Sequence, residues 1–161
     1  MRTATGDHTA QARLGETDAP RSMADIPFSS IPAVNVASVP QRSLLRYPGG
    51  KTWLVPHIRA WLISNSRPVP SVLLEPFAGG GIVSLTAVME GLVSRCLMAE
   101  IDRDVAAFWH AALRHKQEIK ERIRTFKPTR ESVAELAGTV PLNVMEHGFR
   151  TLVLNLSLIH I

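Results

Sequence analysis

Two short segments hold the residues that could do chemistry. The first, Glu75-Pro76-Phe77-Ala78-Gly79-Gly80-Gly81, follows an apolar triplet, Val72-Leu73-Leu74. Consecutive glycines let a backbone turn sharply and approach a ligand closely. A helix starting behind them offers unpaired N–H groups. A nucleotide-type site of this kind needs an acid roughly 20 residues further on, at the end of the next strand, to hold ribose hydroxyls. Glu100 lies 19 positions after Gly81 and Asp102 lies 21; from the residues alone either could serve. The same pattern also suits a tight strand-to-helix turn with Glu100 as an exposed strand-end acid. Glu75 puts a carboxylate directly before the loop, which repels a pyrophosphate but suits a sulfonium or an amino group. The dinucleotide fingerprint G-x-G-x-x-G is not met, because Ser84 and Leu85 stand where a third spaced glycine would help. An adenosyl ligand without phosphates is favoured.

The second segment is Gly49-Gly50-Lys51-Thr52, which looks like the end of a phosphate-binding loop, G-x-x-x-x-G-K-[ST]. The first glycine of that pattern would fall on Leu45, and Pro48 removes a backbone N–H from the cradle. A phosphate loop is therefore disfavoured, and a plain turn with a surface lysine is the alternative. His110 and His115 are five apart, off the i, i+4 spacing of a metal pair, so no metal site is expected. Cys96 and Trp109 read as core residues.

The elements that must carry these segments follow from periodicity. Residues 52–64 read as a helix with Leu54, Ile58, Trp61 and Leu62 on one face, provided Pro56 lies in the first turn. Val72–Leu74 reads as a buried parallel strand. A helix over about 82–90 would turn Ile82, Leu85, Val88 and Met89 inward and close at Gly91. A second strand runs from Arg95 to Ile101. Asp102 or Asp104 then caps a helix to about His115, with Val105, Phe108, Trp109 and Ala112 as its apolar face. Strand–helix–strand–helix is the signature of an α/β, doubly wound and mostly parallel sheet. The alternation then stops: residues 117–126 (Ile119, Ile123 and Phe126 on one face), 130–137 and 142–155 all read as helical. A third strand is not evident.

Composition sets the outer bounds. The 161 residues suffice for one domain with a core, and 45% are hydrophobic. No apolar run reaches the roughly 18 residues that span a bilayer, so no membrane partner is expected. One cysteine and the lack of an apolar signal-like stretch point to a cytoplasmic protein. Residues 1–43 are rich in Ala, Thr, Ser and Pro, carry four basic and four acidic side chains, and read as a disordered leader. The net charge of +4 therefore arises after residue 43. Residues 114–130 hold seven basic side chains against Glu118 and Glu121. Such a stretch suits a polyanion, or else it is a solvated helix face with Glu118 and Arg122 as a helical pair.

Taken together, Leu45-Arg46-Tyr47-Pro48-Gly49-Gly50-Lys51, Glu75–Gly81 and Ala99-Glu100-Ile101-Asp102 resemble the Dam-like class of adenine-specific DNA methyltransferases. That class has an aromatic-x-G-G-K segment, then E-P-F-x-G-x-G, then a [DE]-x-[DN] pair. The likeness covers about residues 44–110. A fainter one continues through Phe149-Arg150-Thr151-Leu152-Val153-Leu154-Asn155, similar to the family's F-R-x-x-x-L-N helix.

The resemblance implies a Rossmann-like class I methyltransferase fold with S-adenosylmethionine as cofactor and double-stranded DNA as partner. It implies a cofactor-binding region over 44–115 and, after the second βα unit, a helical insertion over 116–161 that begins a target-recognition region. Tyr47 would lie against the cofactor and Lys51 would engage its carboxylate end. The loop of Gly79, Gly80 and Gly81 would wrap the methionine part, and Glu75 and Phe77 are further cofactor-binding candidates. Glu100 would take the ribose hydroxyls, and Asp102 would serve mainly as a helix cap. Lys120, Arg124 and Arg130 are the candidate DNA contacts.

The family's chemistry also needs a D-P-P-[YF] motif, whose Asp and Pro carbonyl accept from the adenine amine while the aromatic ring stacks on the flipped base. The sequence has no Pro-Pro pair. The segment Leu156-Ser157-Leu158-Ile159-His160-Ile161 departs from the family pattern as well, so the expectation is an incomplete sheet, an interrupted end and a chain inactive by itself. A methyltransferase for RNA or protein, a nicotinamide oxidoreductase and a non-catalytic nucleic-acid-binding fragment are the other readings.

Overall fold

The computed structural model describes residues 36–46, 49–65 and 68–157. Its elements are α1 (Val55–Asn65), β1 (Val72–Pro76), α2 (Ile82–Met89), β2 (Arg95–Ala99), α3 (Arg103–Arg114), α4 (Lys116–Thr125), α5 (Arg130–Gly138) and α6 (Val144–Ser157). Strands β1 and β2 pair in parallel, with Leu74 opposite Leu97 and Glu75 opposite Met98. Among the described residues the sheet has these two strands. The architecture is a mixed helix–strand fold on a small parallel sheet, compatible with part of a methyltransferase fold.

Each helix end has a local cause. Pro56 lies in the first turn of α1, where its missing N–H costs nothing. A 3-10 turn over Lys51–Leu54 precedes it, so the regular helix begins later than the periodicity predicts, and Val55, 2% exposed, becomes its deepest residue. Gly91 closes α2 in the left-handed region at φ +67. There Leu92 N–H donates to Ala87 O at 2.9 Å and Gly91 N–H to Val88 O at 3.1 Å, a paired C-terminal cap. Asp102 caps α3, accepting from Asp104 N at 2.9 Å and Val105 N at 3.3 Å. Thr129 and Ser132 form a reciprocal capping box on α5. Asn143 accepts from Glu146 N at 2.9 Å at the start of α6.

The core is layered around the sheet. Leu73 and Cys96 pack against Ile58, Leu62, Ala87 and Val93. Met98 packs with Val105, Phe108, Trp109 and Leu152. A helical layer joins Ala111, Ile119 and Phe149 with Phe126, Leu136 and Val153. Helices α3 and α6 meet at Gly148, where an added Cβ would stand 2.5 Å from both Ala107 O and Ala111 Cβ.

Four expectations are corrected. Order reaches back before Leu44: Val39 is buried against Val55, Ile82 and Val83, and Arg42 donates to Thr86 Oγ1 at 3.2 Å and Glu90 Oε1 at 2.9 Å. Residues 1–35 of the expected leader lie outside the described residues. In α2 the buried residues are Ile82, Val83, Ser84, Thr86 and Ala87, while Val88 and Met89 face solvent. That helix is apolar nearly all round, so its pattern does not single out a face. Ile123 is 50% exposed although it shares a face of α4 with Ile119, which is 6% exposed and packs with Ala111 and Phe149. The strand over Val72–Leu74 is buried on one face only, with Leu74 62% and Leu97 55% exposed on the other.

Candidate functional site

The site is assembled where β1 runs into α2. Glu75 is 6% exposed. Its Oε2 accepts from Ser84 N–H at 2.9 Å and from Ser84 Oγ–H at 2.5 Å, so the strand's last acid satisfies an otherwise open N–H of the α2 first turn. Its other oxygen, Oε1, has no hydrogen-bond partner and stands 3.6 Å from Lys51 Nζ. Glu75 thus lies behind the loop and acts on the pocket through Lys51. The Lys51 ammonium also donates to the carbonyl of Phe77. Phe77 is held at φ +60, a region that bulky residues rarely adopt, and its ring is 69% exposed.

The glycine loop is fixed from three sides. Ala78 N–H donates to Ala99 O at 2.9 Å, tying the loop to the end of β2. Gly79 N–H donates to Glu100 Oε2 at 2.6 Å, and Gly79 O accepts from buried Trp109 Nε1 at 2.7 Å. Gly81, at φ +64, admits no side chain, since a Cβ there would meet Trp109 Cζ2 at 2.7 Å. Trp109 is both a core residue and the prop beneath the loop.

The two acids that the sequence could not tell apart have different jobs. Asp102 spends its carboxylate on the α3 cap. Glu100 accepts from Gly79 N–H and, through Oε1, from Asp102 N–H at 3.0 Å. Burial pushes the Glu100 carboxyl up, yet the N–H groups of Asp102, Gly79 and Ile101 and the Lys51 charge hold it below the ordinary carboxylate value.

A pocket of ≈ 590 Å³ opens between the loop and the preceding segment. It is lined by Gln41, Ser43, Leu45, Arg46, Gly49, Gly50, Lys51, Thr52, Ala78, Gly79, Gly80, Ile82 and Asn155. Lys51, Gly79 and Gly80 of the expected site are therefore brought together. Glu75, Phe77, Gly81, Glu100 and Asp102 support the walls rather than line them. Tyr47 lies outside the described residues. Sequence reasoning missed Asn155, Arg46, Ser84 and Trp109. For Asn155 the signal was present, as the last residue of the 149–155 likeness.

The basic stretch is spread over α4 and the start of α5. Lys120 and Arg130 are exposed. Arg124 is exposed but forked onto Glu121 at 3.0 and 2.7 Å. The expected Glu118–Arg122 pair does not form: Glu118 meets His115 Nδ1 at 3.1 Å, and Arg122 lies over the Phe149 ring, 5.2 Å from its centroid, where the ring face attracts the cation. Among the described residues no group of three or more His, Cys, Asp or Glu could hold a metal ion. No helix there is long and apolar enough to cross a membrane.

A strand, a glycine loop, a helix and a second strand followed by an acid that holds the loop make a small α/β unit on a parallel two-strand sheet. A family model for the D12 class N6 adenine-specific DNA methyltransferases matches residues 47–136, more than half of the chain. The chain belongs to that family. No curated protein matches it.

Proposed function

We propose that the ≈ 590 Å³ pocket takes S-adenosylmethionine, that the β1–α2–β2–α3 unit is part of a Rossmann-like, doubly wound class I methyltransferase sheet, and that the methyl acceptor is the exocyclic amine of adenine in duplex DNA. The observation that carries the reading is the glycine loop, tied to Glu100 at 2.6 Å, lining one pocket together with Lys51.

The donor set fits that cofactor. Glu100 retains acceptor capacity beyond its two backbone N–H partners, which suits vicinal ribose hydroxyls. Lys51 offers one cation for a carboxylate, and the glycines leave the loop backbone approachable. Glu75 and Glu100 make the surroundings of the loop negative, which disfavours a pyrophosphate and favours a ligand with a positive centre. The volume lies within the range of about 300–1,000 Å³ usual for such ligands. When bound, S-adenosylmethionine supplies an electrophilic methyl group on a sulfonium.

This chain's own residues orient and enclose. Lys51 holds Phe77 O and offsets Glu75; Trp109 keeps the Gly79 carbonyl turned inward. Tyr47, Gly81 and Asp102 belong to the site by resemblance, as contact, close-approach point and cap. Lys120, Arg124 and Arg130 face the DNA backbone. The acceptor-activating D-P-P-[YF] has no counterpart in the sequence, so these residues bind and orient the cofactor without completing methyl transfer alone.

Thermal unfolding with S-adenosylmethionine, NAD and ATP in turn tests the reading. A ligand at 100 times its Kd adds about 2.7 kcal/mol of stability, or roughly 5–10 °C for a chain of this size. A shift with S-adenosylmethionine that disappears in Lys51→Ala and Glu100→Ala is expected. A shift with NAD alone overturns the reading in favour of an oxidoreductase.

A further inference from the structure

Asn155 is the one α6 residue that reaches the pocket, and both ends of its amide bond to the backbone of one residue, Arg46. Arg46 N–H donates to Asn155 Oδ1 at 2.8 Å. Asn155 Nδ2 donates back to Arg46 O at 2.9 Å. The pair is 109 positions apart in sequence. It fixes the residue from which the chain enters the 47–51 segment. Arg46 also lines a second, largely apolar groove of ≈ 690 Å³, walled on the α6 side by Leu152, Val153 and Leu156. The Arg46 backbone and the end of α6 thus form a shared partition between the pocket and the groove.

We propose that Asn155 is a positioning residue for the cofactor pocket: by clamping the N–H and the C=O of Arg46 it sets where Gly49–Lys51 stand in the pocket lining. The residue type matters. At neutral pH an asparagine amide offers the acceptor and the donor that this pairing needs, whereas an ionised carboxylate only accepts. An aspartate of equal size can accept from Arg46 N–H, but its ionised oxygen meets the Arg46 carbonyl with repulsion. Protonation of that aspartate restores one acceptor and one donor.

This inference rests on the cofactor reading of the pocket, and the experiment separates the two. S-adenosylmethionine binding is measured by calorimetry for the wild type, Asn155→Ala and Asn155→Asp, with the unfolding temperature of each. In parallel, backbone hydrogen exchange over residues 46–51 is followed by mass spectrometry in the ligand-free proteins. The expected result is about ten-fold weaker binding in Asn155→Ala and Asn155→Asp, equivalent to about 1.4 kcal/mol. Exchange over 46–51 should be faster in both, and the core peptides of α3 unchanged. Affinity and protection in Asn155→Asp should recover as the pH falls toward about 4, the ordinary aspartate range, while those of Asn155→Ala should not. A general loss of packing would show no such recovery. If the wild type binds no S-adenosylmethionine, the cofactor reading fails, and exchange over 46–51 still decides whether the clamp exists. Unchanged exchange in Asn155→Ala, or unchanged affinity where the wild type binds, overturns the proposal.

Discussion

The backbone N–H of Gly79 donates to the side chain of Glu100 across 2.6 Å, which ties the glycine loop to the residue that follows the second strand. Glu100 therefore holds the loop from behind, and the proposed cofactor contact would draw on its remaining lone pairs. Glu100→Gln keeps the size but replaces one of two carboxylate oxygens with a donor. It should reduce S-adenosylmethionine affinity by roughly 10-fold or more and lower stability by about 1–2 kcal/mol. Calorimetric titration and urea unfolding of the same preparation measure both, and an unchanged affinity would remove Glu100 from the binding site.

Lys51 and Glu75 form a coupled pair. Glu75 Oε1 is buried without a hydrogen-bond partner, and the nearby ammonium is what offsets its charge. Lys51→Met should cost about 1–3 kcal/mol, the usual consequence of leaving a buried acceptor uncompensated. Adding Glu75→Gln to Lys51→Met should recover part of that loss, while binding of the cofactor stays weak. A double-mutant cycle in urea reads the coupling; strictly additive losses would contradict it.

Gly148 is where α6 rests on α3. A methyl group there would press on the Ala107 carbonyl and the Ala111 side chain, both 2.5 Å away, and a backbone carbonyl cannot rotate aside. Gly148→Ala should destabilise by about 1–3 kcal/mol, despite alanine's better helix propensity. A rise in the unfolding midpoint would show that the helices separate easily.

Glu90 ties three parts together. It accepts from Arg59 at 2.6 and 2.7 Å and from Arg42 at 2.9 Å. The Arg59 hydrogen bond, with help from Arg42, holds its carboxyl below the ordinary 4.5 against the opposing effect of burial. A carboxyl with a lowered folded-state pKa contributes stability that is present above its unfolded value and lost as pH falls through the folded one. Stability should thus decline below about pH 4.5, and Glu90→Gln should lower stability at pH 7 while flattening that decline. Urea midpoints between about pH 3 and 7 test the sign.

Lys120 and Arg130 are exposed, whereas Arg124 is already forked onto Glu121. If this face meets duplex DNA, Lys120→Ala and Arg130→Ala should each weaken binding regardless of base sequence and lower the salt slope by about 0.9. Arg124→Ala should do less. Fluorescence anisotropy across a salt series gives the slopes.

How much of this was legible in the sequence follows from the range of each interaction. The glycine loop and the strands on either side are local, and short-range turn chemistry announced them, while cap chemistry placed the start of α3 at Asp102 or Asp104. The inward face of α2 was not legible, since Val88 and Met89 are as apolar as Val83 and Ala87, which are buried in their place. The packing of Val39 was hidden by the lack of any period in its segment. Asn155 and Arg46 meet across 109 positions, a distance over which one sequence carries no geometric signal. The split between Glu100 and Asp102 needed the helix start to be seen.

The bare side of the sheet has a cellular consequence. Leu74 and Leu97 stand opposite each other with more than half of each exposed, on strands whose outer edges are unpaired among the described residues. Quality-control machinery reads such a surface as unfinished. Left uncovered, such a surface should draw chaperones and proteases and shorten the lifetime of this polypeptide in a cell.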